Sequence, residues 1–157
     1  MDQFLNDFRR SIDDGKTRLL ALSENQANVV PPGKWSPKQI VGHLIDSAAN
    51  NHQRFVRAAS TTDLVCPGYD QEAWVDLQHY NGESWNDLVQ LWAAYNKHLL
   101  HVVSVLPPES LTRLRNEHNL DQVAFRAVNK SSPTTLEYFI RDYVDHMRHH
   151  LKQILGN

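Results

Sequence analysis

The chain has 157 residues, 41% hydrophobic and 22% charged, a size and make-up that predict one ordinary globular domain spanning 1–157. A formal net charge of -2 gives no footprint for nucleic acid or an anionic membrane, and a lone Cys66 excludes both a disulfide framework and a CxxC zinc knuckle. No apolar run approaches the ~20 residues that span a bilayer and the first residues lack a signal-peptide layout, so the expected location is cytoplasmic.

Four segments carry helical periodicity. In the first, over roughly 2–24, Phe4, Phe8, Ile12, Leu19 and Leu22 recur by threes and fours. The second opens at Trp35-Ser36-Pro37: Ser36 is a capping residue, Pro37 suits the first turn because its missing N–H is not needed there, and Trp35 can pack back as a staple. Its stripe is Ile40, Leu44, Ala48, Phe55 and Ala58. The third starts at Ser84, with Asp87 in the place of a capping-box partner, and Pro107-Pro108 ends it. The fourth begins near Thr134 with Glu137 as the capping-box residue, and runs through Leu136, Ile140, Tyr143, Met147, Leu151 and Ile154. The connections are a short one, about 25–35, and two long ones, about 61–83 and 107–133; only Gln122–Val128 reads ambiguously between strand and helix. Four amphipathic helices with almost no strand signal predict an all-α four-helix bundle, and its long connections permit parallel neighbours.

Nine histidines stand against one cysteine and two methionines, which makes imidazole the chemistry to examine. His146 and His150 are four apart on the fourth helix, so they share a face, and it is the face claimed by the core. Burying two unpaired imidazoles costs on the order of 1–3 kcal/mol each, and one shared divalent ion satisfies both. His149 points about a hundred degrees away and reads as surface. Position 147 is Met, so no HExxH zincin is encoded, and no Glu-x-x-His of a di-iron bundle occurs.

A third ligand has two sources. His43 lies about seven residues into the second helix and the pair about seven from the end of the fourth, ~10 Å in each case. Antiparallel packing of those helices would bring all three level. His98 and His101 would match the pair only if helices three and four ran parallel. Beyond His43, Ser47, Asn50 and Arg54 follow at helical spacing and predict a polar-lined pocket, in which Arg54 can hold a carboxylate, phosphate or sulfonate of a substrate. Asp46 and Gln153 are positioned to orient His43 and His150 from behind.

Three stretches then resemble a known family. Trp35-Ser36-Pro37-Lys38-Gln39-Ile40-Val41-Gly42-His43-Leu44-Ile45-Asp46 is similar to the second-helix signature of the DinB-like superfamily of metal-binding four-helix bundles, which includes the bacillithiol-transferase-like proteins. His146-Met147-Arg148-His149-His150-Leu151-Lys152-Gln153-Ile154 resembles its C-terminal signature, and Pro67-Gly68-Tyr69-Asp70-Gln71-Glu72-Ala73-Trp74 resembles members of the group. The resemblance implies an up-down-down-up bundle with long connections after helices two and three. It favours His43 over His98 and His101, so that His43, His146 and His150 are the implied metal ligands. It also implies a homodimer. Characterised members include metal-dependent transferases that attach low-molecular-weight thiols to electrophiles, and others provisionally named hydrolases.

Three neutral imidazoles leave a fourth position for water or substrate, the pattern of catalytic zinc. Such an ion can lower the pKa of water to about 7 or deprotonate a thiol, giving hydrolysis or thiol transfer on a small molecule. All-nitrogen ligation suits zinc or nickel first, and iron or copper as well. The other class of function is a non-catalytic, stress-induced metal-binding bundle.

Overall fold

The computed structural model describes residues 1–156; Asn157, within the span assigned to the domain, lies outside the described residues. It is built from α1 (Asp2–Leu20), α2 (Glu24–Ala27), α3 (Pro37–Ser60), α4 (Gln71–Gln78), α5 (Trp85–Val105), α6 (Pro108–Thr112), α7 (Leu120–Val123) and α8 (Leu136–Leu155), with a 3-10 turn at Tyr80–Gly82. The bundle is α1, α3, α5 and α8; the rest decorate its connections. Among the described residues the extended pairings are two isolated bridges, Leu64 with His118 and Arg115 with Thr134. No described helix is long and apolar enough to cross a membrane.

Local sequence accounts for most of the helix ends. Ser36 and Gln39 form a reciprocal capping box, and Pro37 sits in the first turn of α3. Ser84 accepts the Asp87 N–H at the start of α5. Two ends differ from expectation. The first helix stops at Leu20, because Ser23 and Gln26 form a capping box of their own and begin α2. The last is capped by Thr135, since Thr134 exchanges both backbone hydrogen bonds with Arg115. Glu137 therefore falls one place short of the box and pairs with Arg141 at 2.7 Å.

Side-chain contacts fix the helix directions. Trp85, which opens α5, donates its indole N–H to Leu19 O at the end of α1, so these two are antiparallel. Arg18 reaches Leu155 O and Arg148 reaches Ser11 Oγ, so α1 and α8 are parallel. Lys38 bonds Glu83 O near the start of both helices and His52 meets Tyr95 further along, so α3 and α5 are parallel. Phe55 against Phe139 and His43 against His150 make α3 and α8 antiparallel. The order is up-down-down-up.

This topology explains the long connections. Parallel α3 and α5 require the chain to travel back along α3, about 36 Å at helical rise, and α4 makes that return. Its far end docks beside the start of α3: Gln78 and Tyr80 reach Asp46, and Ser36 reaches Asn81. A Cβ on Gly42 would lie 2.1 Å from Tyr80 Cδ2, so the glycine is what admits the tyrosine ring to the helix surface. The connection from α5 to α8 joins ends at the same pole and needs no return. It nevertheless climbs along α8, where Asp142 accepts the backbone N–H groups of Phe125 and Arg126 at 2.7 and 2.8 Å, and descends to Thr135. The core is apolar and close-packed, with Phe8, Ile12, Val41, Leu44, Phe55, Trp92, Leu99, Ile140 and Met147 buried. Buried Arg115 pins the lower pole by donating to the carbonyls of Ala58, Ser110 and Arg113.

Candidate metal centre

Antiparallel packing of α3 on α8 brings His43 level with His146 and His150. One ring nitrogen from each lies within 4.8 Å of the others. His43 is buried, while His146 and His150 are half-buried. The Nε2 atoms of His43 and His146 face each other at 3.1 Å. Two nitrogens bound at about 2.0–2.1 Å to one tetrahedral ion stand about 3.3 Å apart, so this spacing is compatible with shared ligation as well as with one N–H···N hydrogen bond. His150 donates Nδ1–H to Gln153 Oε1 at 2.8 Å, which leaves its Nε2 lone pair free. The donor set fits a divalent ion.

The protonation states agree. Burial, with the neighbouring imidazoles adding to it, pushes His43 down to about 4 and His146 to about 3. His150 is lowered by burial too, against the opposing hydrogen bond to Gln153. At neutral pH all three are uncharged imidazoles, the form that binds metal.

The histidines stand in the wall of a cavity of about 440 Å³, which is also lined by Ser47, Asn51, Arg54, Tyr69, Phe139, Asp142, Tyr143 and His149. Residues Gln122–Phe125 of the climbing connection close one side. Tyr69 comes from the turn before α4 and packs at a tilt against Trp74, and burial pushes its hydroxyl up to about 12. Arg54 is 5% exposed and donates to Pro67 O at 2.6 Å.

The structure brings Ser47 and Arg54 to the cavity, as their spacing predicts, and Gln153 to His150. Asn50 is a correction. Its amide turns to Asp46 O, and Asn51 lines the cavity instead. Relative to His43, position 50 lies about 20° to one side of the helix and position 51 about 80° to the other, and the cavity opens on the second side. Asp46 is another correction: one oxygen accepts Tyr80 O–H at 2.7 Å and Gln78 N–H at 2.8 Å, and the other is buried without a partner, as is His43 Nδ1. Trp35 lies against His43, with ring centroids 5.2 Å apart. His98 and His101 sit exposed on α5, diagonal to α8, with His98 meeting His52. His149 is exposed but lines the cavity and accepts from Gln153. Asp142 and Phe139 were missed, although both continue the histidine stripe one or two turns back along α8 and could have been found that way.

The family model of the DinB superfamily matches residues 7–154. The chain belongs to the DinB superfamily. A Bacillus mycoides (strain KBAB4) protein is 27% identical over 122 residues, covering 78% of this chain and 64% of the relative. An Oceanobacillus iheyensis protein is 30% identical over 67 residues, covering 42% of this chain and 39% of the relative. Both are provisionally named metal-dependent hydrolases. The chain thus spans less than two thirds of the length of either curated relative. Among solved structures, YfiT from Bacillus subtilis matches with a TM-score of 0.75 at 19% identity, over 98% of this chain and 85% of its own. YfiT is described as having an unusual four-helix bundle topology, and the likeness shows that this DinB superfamily chain shares its fold.

Proposed function

We propose that His43, His146 and His150 hold one divalent metal ion and that the chain is a metal-dependent hydrolase acting on a small molecule bound in the cavity. The observation that carries this reading is the convergence of three neutral imidazoles on the wall of an open cavity. A purely structural ion takes four protein ligands, whereas three ligands beside a cavity leave a position for reactants. The ion would supply Lewis acidity, acidifying a water or a thiol and polarising the group it attacks. The chain's own residues do the rest. Gln153 fixes the tautomer of His150, Ser47 and Tyr69 offer hydroxyls to the substrate, Arg54 offers a positive charge, and Phe125 packs against His146.

The provisional names of the two relatives support hydrolysis. Transfer of a low-molecular-weight thiol to an electrophile uses the same open position and is the second arm of the test. Zinc or nickel is the proposed ion, on the all-nitrogen donor set. The cytoplasm, a single domain and a homodimer complete the reading, on the composition and the family resemblance.

The test uses tag-free protein, because a histidine tag supplies ligands of its own. Elemental analysis gives one ion per chain in the wild type and loss of it in His43→Ala, His146→Ala and His150→Ala. The metal-loaded protein is then scanned against small esters and amides, and against epoxides and halides with added thiols. Full metal content in all three variants overturns the site. A loaded protein inert to both panels, with metal loss lowering Tm, leaves a non-catalytic metal-binding bundle.

A further inference from the structure

We propose that the end of the cavity at Arg54 is a carboxylate-binding subsite, so that the molecule taken here is an organic anion with its carboxylate remote from the histidines. The inference rests on the cavity of the proposed function and deepens it by naming the substrate class, but it does not use the ion.

Arg54 and Arg115 are both nearly sealed from water, at 5% and 1% exposure, and their surroundings differ in kind. Both terminal nitrogens of Arg115 donate to backbone carbonyls, from Ala58, Ser110 and Arg113, and it lines no part of the cavity. That is a structural pin. Arg54 makes one short bond, to Pro67 O, and a long one of 3.4 Å to Asn51, so its terminal nitrogens are far less satisfied than those of Arg115, while the Nε of both arginines is buried without a partner. Among the described residues neither arginine has an ion pair, but only Arg115 has its charge answered by a set of carbonyls. Asp142, the one carboxylate in the cavity wall among the described residues, is occupied by the N–H groups of Phe125 and Arg126.

A buried charge without a counter-charge opposes folding unless something else answers it. The rings of Tyr69 and Phe139, centred 5.9 and 6.0 Å from the guanidinium carbon, answer only part. Arg54 lies about three turns along α3 from His43, in the same cavity, so the missing partner is a ligand that reaches both ends. With no lysine and no second arginine among the described residues of the wall, the site matches one negative charge on a planar group, a carboxylate, better than a phosphate dianion.

The test titrates phenylacetate, its neutral amide and phenyl phosphate into the full chain, stripped of metal by a chelator and in parallel with zinc added. Thermal shift and protein NMR are the readouts, and Arg54→Met and Arg115→Met are compared with wild type. Phenylacetate is expected to bind the metal-free protein, the amide not, and Arg54→Met to weaken it about tenfold or more. Arg54→Met is also expected to melt at or above wild type, because it removes an unpaired buried charge, whereas Arg115→Met melts lower. The proposal is overturned by phenylacetate binding that ignores Arg54→Met or requires zinc, by preference for phenyl phosphate, or by a Tm loss in Arg54→Met matching that of Arg115→Met. Zinc content measured on the same samples separates the two readings. Arg54-dependent binding without zinc uptake refutes the metal site alone, and zinc uptake without it refutes the subsite alone.

Discussion

His43 and His146 point their Nε2 atoms at each other across 3.1 Å, from helices that run in opposite directions and stand 103 positions apart in the chain. Two lone pairs at that distance repel unless a proton or a cation lies between them. Filling the site should therefore stabilise the fold. At a hundredfold excess over Kd an ion contributes about 2.7 kcal/mol, or about 5–10 °C in Tm for a chain of this size. Calorimetry with zinc and then with a chelator measures the shift, which should vanish in His43→Ala.

Acid should act on the metal-free protein through the same residues. Folded His43 and His146 titrate at about 4 and about 3, whereas the unfolded chain takes protons near 6.5. The folded pKa is the depressed one, so nothing is lost above pH 6.5 and stability falls as pH drops from there through 4 toward 3. Denaturant titrations across that window should show the loss, and His43→Leu with His146→Leu should flatten it.

Gly42→Ala should damage both fold and site. The added carbon meets the Tyr80 ring at 2.1 Å, and overpacking of this sort costs about 1–3 kcal/mol. Because position 42 precedes His43, metal affinity should fall together with the denaturation midpoint. A variant that retains wild-type values for both would show that Tyr80 yields freely.

Asp142→Ala should loosen the cavity wall at Phe125. It strands the N–H groups of Phe125 and Arg126, about 1–3 kcal/mol each where they remain buried. Hydrogen exchange should accelerate at residues 123–126 while α3 keeps its protection, and any substrate identified should show a raised KM. Uniform acceleration across the bundle would point to global destabilisation instead.

The sequence disclosed what depends on neighbours along the chain. Ser36, Pro37 and Ser84 announce helix starts by local hydrogen bonding, and His146 and His150 announce a shared face by spacing alone. What it hid depends on where the connections return. Thr135 takes the cap of α8 because Thr134 is bound to Arg115, nineteen positions earlier. Asp46 serves Tyr80 and Gln78 because α4 lies back along α3. Asn51 faces the cavity where Asn50 was expected because the cavity opens to one side of His43, and no periodicity within α3 specifies which. Level matching brings His43 to the pair only if α3 and α8 are antiparallel, a condition that spacing does not supply; the family resemblance supplies it, and with it the preference for His43 over His98 and His101.

The division of the site between α3 and α8 also sets when it can exist. A ribosome adds about 5–20 residues per second, so the 103 positions between His43 and His146 correspond to about 5–20 s of synthesis. Throughout that interval His43 lacks both His146 and His150, so the three-histidine cluster cannot form. At the proposed site, metal selection would thereby wait until the last bundle helix has docked, when the packed fold dictates the geometry rather than a flexible nascent chain.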